Sequence, residues 1–219
     1  MSARAALRLG ILISGRGSNM AAIARQCREQ RIGAEVAVVI SERPEAAGLA
    51  TAREYGIPAR AIPWPGAPQR EQFEAAAAAA LAQAGAELIV LAGFMRILSP
   101  AFVTARAGAI LNIHPSLLPK YPGLHTHRRA LEAGERVHGA TVHFVTSELD
   151  GGPRVLQSRI AVHPADTEET LSARVQATEH IIYPRVIGWR ADGRLEWREE
   201  RPWLDGQPLA QPLLEDFNA

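Results

Sequence analysis

The chain has 219 residues, of which 47% are apolar and 21% charged, with a formal net charge of +1. This length suits an α/β domain with a substantial core, and a near-neutral balance without long runs of like charge excludes a global field for nucleic acid or an anionic membrane. Cys27 is the sole cysteine, which excludes an internal disulfide and any C-x-x-C zinc or redox motif.

The segment Met1–Arg8 is too short and too charged for a signal peptide. No apolar run reaches the roughly 18 residues of a membrane span, so a cytoplasmic protein is expected. Leu9–Ser14 reads as a buried strand, Gly15-Arg-Gly-Ser-Asn19 as a tight loop, and the following segment as a helix reaching about Arg31. Ala34–Ser41 is β-branched and apolar, a second buried strand. Glu45–Tyr55 reads as helix, Ala59–Ile62 as a weak strand, and the proline-rich stretch Pro63–Pro68 as loop. Gln69–Ala84, with its alanine tract, predicts a strong helix. Glu87–Ala92 is the clearest buried strand. Pro100–Arg106 is a short helix capped by Ser99, and Ala109–His114 is another strand.

These alternating elements predict a mostly parallel twisted sheet with helices on both faces, a Rossmann-like arrangement that binds ligands at the carboxyl ends of strands. Further on, Gly139–Val145 and Val155–Val162 flank the turn Asp150–Pro153 and predict an antiparallel element in the C-terminal part. Asp166-Thr-Glu-Glu169 has a capping pattern that opens a helix to about Trp189, and Leu195–Glu199 is expected as the last strand. Residues 1–203 form the expected catalytic domain, with 204–219 as a surface tail.

The loop Gly15–Asn19 joins a strand to a helix. Glycines let the backbone approach a ligand, and the helix N-terminus offers free N–H groups. The dinucleotide pattern G-x-G-x-x-G fails at Met20, although Glu42 stands where a ribose-binding acid would, and no Walker lysine is present. A single phosphate monoester fits this loop. So does a plain glycine turn capped by Ser18 or Asn19.

Asn112 and His114 lie two apart on a strand and share a face. A polar pair at the carboxyl end of an apolar strand needs partners or a task. An amide N–H donor and a titratable imidazole suit a carbonyl that becomes tetrahedral. The alternative is a hydrogen-bonded core histidine beside a backbone-bonded asparagine. Asp150 reads equally as an Asp-Gly turn residue and as a carboxylate that pairs with His114. The remaining histidines show no metal-ligand spacing, and no metal is expected.

The stretches Ile13–Asn19, Val90–Pro100, Leu111–Pro119, Tyr121–His127, Val142–Val145 and Leu149–Gly152 together resemble the phosphoribosylglycinamide formyltransferase family. The resemblance spans nearly the whole chain. It implies transfer of formyl from 10-formyltetrahydrofolate, as co-substrate, to the amine of glycinamide ribonucleotide in purine synthesis. It implies that Asn112 binds the formyl oxygen, that His114 is acid and oxyanion stabiliser, and that Asp150 tunes His114 and relays protons. Gly17, Ser18 and Asn19 would hold the acceptor phosphate, with Gln176 and Glu179 also on the acceptor. Met95, Arg96, Ile97 and Leu98 would line the pterin pocket. Thr146, Ser147, Glu148, Leu149 and Asp150 would close over it, and Arg70 would meet the tail carboxylates. Small molecules are the expected partners, without nucleic acid or membrane, and the chain is expected as a monomer or homodimer.

Methionyl-tRNA formyltransferase shares the Asn/His/Asp centre but needs a further domain and a basic tRNA surface. A formyltetrahydrofolate hydrolase normally carries an N-terminal regulatory domain. A silent nucleotide-binding module remains as a reading without turnover.

Overall fold

The computed structural model describes residues 5–217; residues 1–4, within the segment weighed as a signal peptide, and the last two residues of the expected tail lie outside them. Strands β1 (Leu7–Ile13), β2 (Ala34–Ser41), β3 (Ala59–Ala61), β4 (Leu88–Leu91) and β5 (Ile110–His114) alternate with helices α1 (Ser18–Arg28), α2 (Ala47–Glu54), α3 (Arg70–Gln83) and α4 (Pro100–Thr104). Helix α5 (Thr126–Glu132) follows. Strands β6 (Val137–Phe144) and β7 (Arg154–Ala161) lead to the long helix α6 (Glu168–Ala191). The main sheet has eight strands in the order β11-β7-β6-β5-β4-β1-β2-β3, where β11 is Leu213–Asp216. Pairs from β3 through β5 are parallel, and β5–β6 and β6–β7 are antiparallel. The mostly parallel sheet with a late antiparallel element is thus the architecture found.

Alternation along β1 divides the core. Leu9, Ile11 and Ile13 pack with α1, α2 and α6 on one face. Leu12 packs with α3 and α4 on the other. Every residue of β4 is buried, as a strand covered on both faces requires. Buried Tyr183 ties α6 to the sheet: its hydroxyl lies 3.0 Å from the carbonyl oxygens of both Leu91 and Leu111.

Several boundaries differ from expectation. Helix α6 is capped by Thr167 rather than Asp166. The Thr167 hydroxyl accepts the Thr170 N–H at 3.3 Å and the Thr170 hydroxyl accepts the Thr167 N–H at 2.8 Å. Asp166 instead accepts from the His163 N–H and Arg174. Leu195–Glu199 is not the last strand. β8 (Leu195–Arg198), β9 (Arg201–Leu204) and β10 (Gln207–Pro208) form a small antiparallel sheet, and β11 joins the main sheet beside β7. The segment read as a surface tail therefore holds two strands. β11 was hidden because Leu213 and Leu214 are both exposed, so it shows no apolar alternation. Backbone pairing holds it, with Arg159–Asp216 and Arg185–Glu215 ion pairs.

The turn between β6 and β7 depends on Gly152, where an added Cβ would sit 1.9 Å from the Phe144 carbonyl oxygen. Nothing but a shift of backbone relieves that contact. Gly152→Ala is expected to lower unfolding free energy by about 3 kcal/mol, measured by urea denaturation. Unchanged stability would contradict the close approach.

Candidate active site

The chain reverses direction across the sheet at the β1/β4 boundary: β2 and β3 lie to one side, β4 and β5 to the other. Loops leaving β1 and β4 diverge there and open a crevice. A cavity fills it, lined by Gly15, Arg16, Gly17, Ser18, Asn19, Gly93 and Met95, and closed by Gln176 and Glu179 of α6. Gly17 caps α1 with φ 72°, and an added Cβ would meet the Gly48 Cα at 3.0 Å. No side chain caps α1. Its first N–H groups are thus left for an anion, and the reading of Ser18 or Asn19 as an ordinary cap is not what forms.

The Asn19 side chain does not cap its own helix. Its amide donates to Glu179 Oε2 at 2.8 Å, in a buried contact 160 residues apart in sequence. Burial pushes the Glu179 carboxyl above its ordinary range, partly opposed by that hydrogen bond. His127 also lines this cavity and packs edge-on against His138, 3.2 Å between ring nitrogens. Burial pushes His138 down to about 4.

A second pocket lies on the α3/α4 face. Phe94, Arg96, Ile97 and Leu98 form one wall, Thr146–Asp150 another, with Asn112 and His143 between them. Met95 is placed differently from its neighbours: it lines the first cavity. Arg70 opens α3 and lines neither.

Asn112 and His114 share the α3/α4 face of β5, as their spacing predicts, because Leu111 and Ile113 pack on the opposite core. His114 is buried and lines neither cavity. It sits between Asn112, on the second pocket, and Pro115, on the first. Its Nε2 is 2.8 Å from the Tyr121 carbonyl oxygen and its Nδ1 is 3.3 Å from Asp150 Oδ2. Both ring nitrogens therefore face acceptors, and an imidazolium would donate to each. Asp150 adopts φ 51° and accepts the Gly123 N–H at 2.8 Å. The structure joins Asp150 to His114, which residue types alone left open.

His143 is one of the remaining histidines to which residue spacing gives no role. Antiparallel register sets it opposite Asn112. Its Nδ1 is 2.9 Å from the Phe144 carbonyl, so that nitrogen carries the proton. Burial lowers its pKa, leaving Nε2 as an acceptor for the Asn112 amide at 3.1 Å. The asparagine is thereby oriented, with a second N–H remaining. The available signal was the one used for β5: a polar residue among apolar neighbours in Val142-His-Phe144. Among the described residues, no group of three or more His, Cys, Asp or Glu side chains could hold a metal ion. No described helix is long and apolar enough to cross a membrane.

The formyl transferase family profile matches residues 7–187, and the chain belongs to that family. It is 52% identical over 199 residues to phosphoribosylglycinamide formyltransferase of Escherichia coli strain K12, covering 91% of this chain and 94% of that protein. The solved phosphoribosylglycinamide formyltransferase from Coxiella burnetii has TM-score 0.89 and 47% identity, over 95% of this chain and 99% of the other. A formyltetrahydrofolate deformylase from Burkholderia mallei has TM-score 0.83 and 28% identity, over 92% of this chain and 70% of that one.

Glu179 generates a test. Its raised folded-state pKa means the folded chain holds that proton more tightly than the unfolded chain does. The penalty for ionising it is absent below the unfolded pKa of about 4.3, grows as pH rises and is complete above the folded value. Glu179→Gln keeps an acceptor for Asn19 and removes the penalty. It is expected to melt higher than the parent at neutral pH, with the difference shrinking on acidification. A pH-independent difference in melting temperature would refute this account.

Proposed function

We propose that this chain transfers the formyl group of 10-formyltetrahydrofolate to the amine of glycinamide ribonucleotide, a step of de novo purine synthesis. The observation that carries the reading is a pair of dissimilar cavities on either side of β5, whose carboxyl end holds Asn112 and His114, the latter paired with Asp150. One has an uncapped helix N-terminus and a buried carboxylate, suited to a phosphorylated amine. The other is largely apolar and suited to a flat ring. Kinship with enzymes named for this transfer supports it.

In this reading Gly17, Ser18 and Asn19 receive the phosphate, while Gln176 and Glu179 contact the remainder of the acceptor. Ile97, Leu98 and Thr146–Leu149 enclose the donor's ring, with Arg96 at the rim of that pocket. The amine lone pair attacks the formyl carbon. Negative charge gathers on the formyl oxygen, where it is stabilised by the free Asn112 N–H and by the Nε2–H of protonated His114, which leaves the Tyr121 carbonyl to reach it. Asp150 holds the imidazolium and accepts the proton released by the amine, through water. The C–N bond to the donor then breaks, and the donor nitrogen takes a proton from His114. Met95, lining the acceptor cavity, separates the two ligands. The reading places the enzyme in the cytoplasm, acting on small molecules.

The test is spectroscopic loss of formyl from 10-formyltetrahydrofolate with and without glycinamide ribonucleotide. Acceptor-dependent loss is expected. Loss without acceptor would indicate the hydrolase activity of the deformylase relative, and no loss would indicate a binding module. His114→Ala is expected to lower kcat by about 10²–10⁴-fold while folate binding persists. Full turnover in that variant would refute the proposed centre. Asp150→Asn is expected to cut kcat and move the pH–rate profile, and an unmoved profile would remove Asp150 from the proton path.

A further inference from the structure

Glu42 directly follows β2. Its side chain is 0% exposed, and neither carboxylate oxygen has a hydrogen-bond partner. The nearest cations are Arg96 Nε at 3.3 Å and Arg43 Nε at 3.7 Å. Such burial is expensive for a carboxylate, and a buried ion pair is weak evidence for stability. A ribose-binding acid must present its oxygens to a ligand. These oxygens are shut behind Arg96, so that use of Glu42 is closed.

Arg96 is restrained on two sides. Its Nε is buried against Glu42 without a hydrogen bond of its own. Its guanidinium carbon lies 5.4 Å from the centre of the Trp64 ring. Trp64 is itself tied to Glu42, because its backbone N–H donates to the Glu42 carbonyl at 3.3 Å. The Nη pair has no hydrogen bond among the described residues, and Arg96 lines the second pocket while remaining 34% exposed. A guanidinium fixed along its Nε edge and across its face keeps only its terminal fork free. That fork is the part that takes a carboxylate bidentately.

We propose that Glu42 is a positioning residue, which tethers Arg96 against Trp64 so that the guanidinium fork meets a carboxylate of the incoming donor at the pocket rim. This rests on the formyl-folate reading, since that donor carries a glutamate tail, and it assigns one of the tail's carboxylates to Arg96, which lines the pocket, rather than to Arg70, which does not. Without the tether, an arginine side chain samples many rotamers, and ordering it on binding removes part of the gain.

Steady-state kinetics of E42Q with 10-formyltetrahydrofolate and with the amide of 10-formyltetrahydropteroate, which lacks both the glutamate tail and a free carboxylate, test the proposal. The expected loss falls on KM for the tailed donor, by about five- to tenfold, part of one charge-assisted hydrogen bond. KM for the truncated donor moves far less, so the preference for the tail shrinks. An equal effect on both donors, or none on either, overturns the proposal. The tether has a second readout in thermal melting. R96Q strands a buried carboxylate and lowers the melting temperature, and adding E42Q to R96Q is expected to restore part of the loss. Additive destabilisation overturns the tether. No turnover of either donor by the unsubstituted enzyme is a different outcome: it defeats the donor assignment, and melting alone then decides the tether.

Discussion

Strand β5 runs beyond the helix that covers it. Helix α4 has five residues, and its Phe102 and Val103 share a core with Ile110 at the start of the strand. Asn112 and His114 lie on the same face further along, past that contact, where Asn112 opens onto the second pocket. A parallel sheet continued by another βα unit would have buried them among hydrocarbon at a cost of several kcal/mol. The chain instead turns back. Antiparallel β6 sets His143 opposite Asn112, and the turn after it delivers Asp150 to His114. The break in parallel order is what makes a polar centre possible inside an otherwise closed sheet.

The remaining architecture arranges two ligand environments around that centre. Reversal at β1/β4 opens one cavity on the α1/α6 side, where backbone N–H groups supply the positive end. The short α4 leaves the second on the α3/α4 side. β5 separates them, with Ile113 turned toward one and Asn112 toward the other. The backbone between Gly93 and Leu98 passes from one cavity to the other, so its neighbours Met95 and Arg96 serve different pockets. A loop read as one functional block is divided by the sheet edge it crosses.

What was legible in the sequence follows from this division. Strands buried on both faces announce themselves by continuous apolar runs, as β2 and β4 do, and same-face spacing placed Asn112 and His114 correctly. Long-range pairing left no such trace. Nothing local says that Asp150 returns to His114, that His143 meets Asn112 through strand register, or that Asn19 bonds Glu179 rather than capping its own helix. β11 escaped for a different reason: an edge strand held by backbone bonds and exposed ion pairs needs no apolar period.

Two buried carboxylates flank the site, and folding by itself favours neither. Glu179 stands beside the first cavity with one amide partner, and Glu42 stands behind the second with only guanidinium groups near it. Each lies where an amide would be tolerated more cheaply. Each also touches a group that faces a ligand in the proposed reading, Glu179 through Asn19 and Glu42 through Arg96, and Glu179 lines the first cavity itself. Proteins keep such unfavourable groups where orientation matters more than stability. Asn112 is oriented by a neutral histidine in the same manner. The common device is a buried acceptor with little freedom, which fixes a donor that must already point the right way when the ligand arrives.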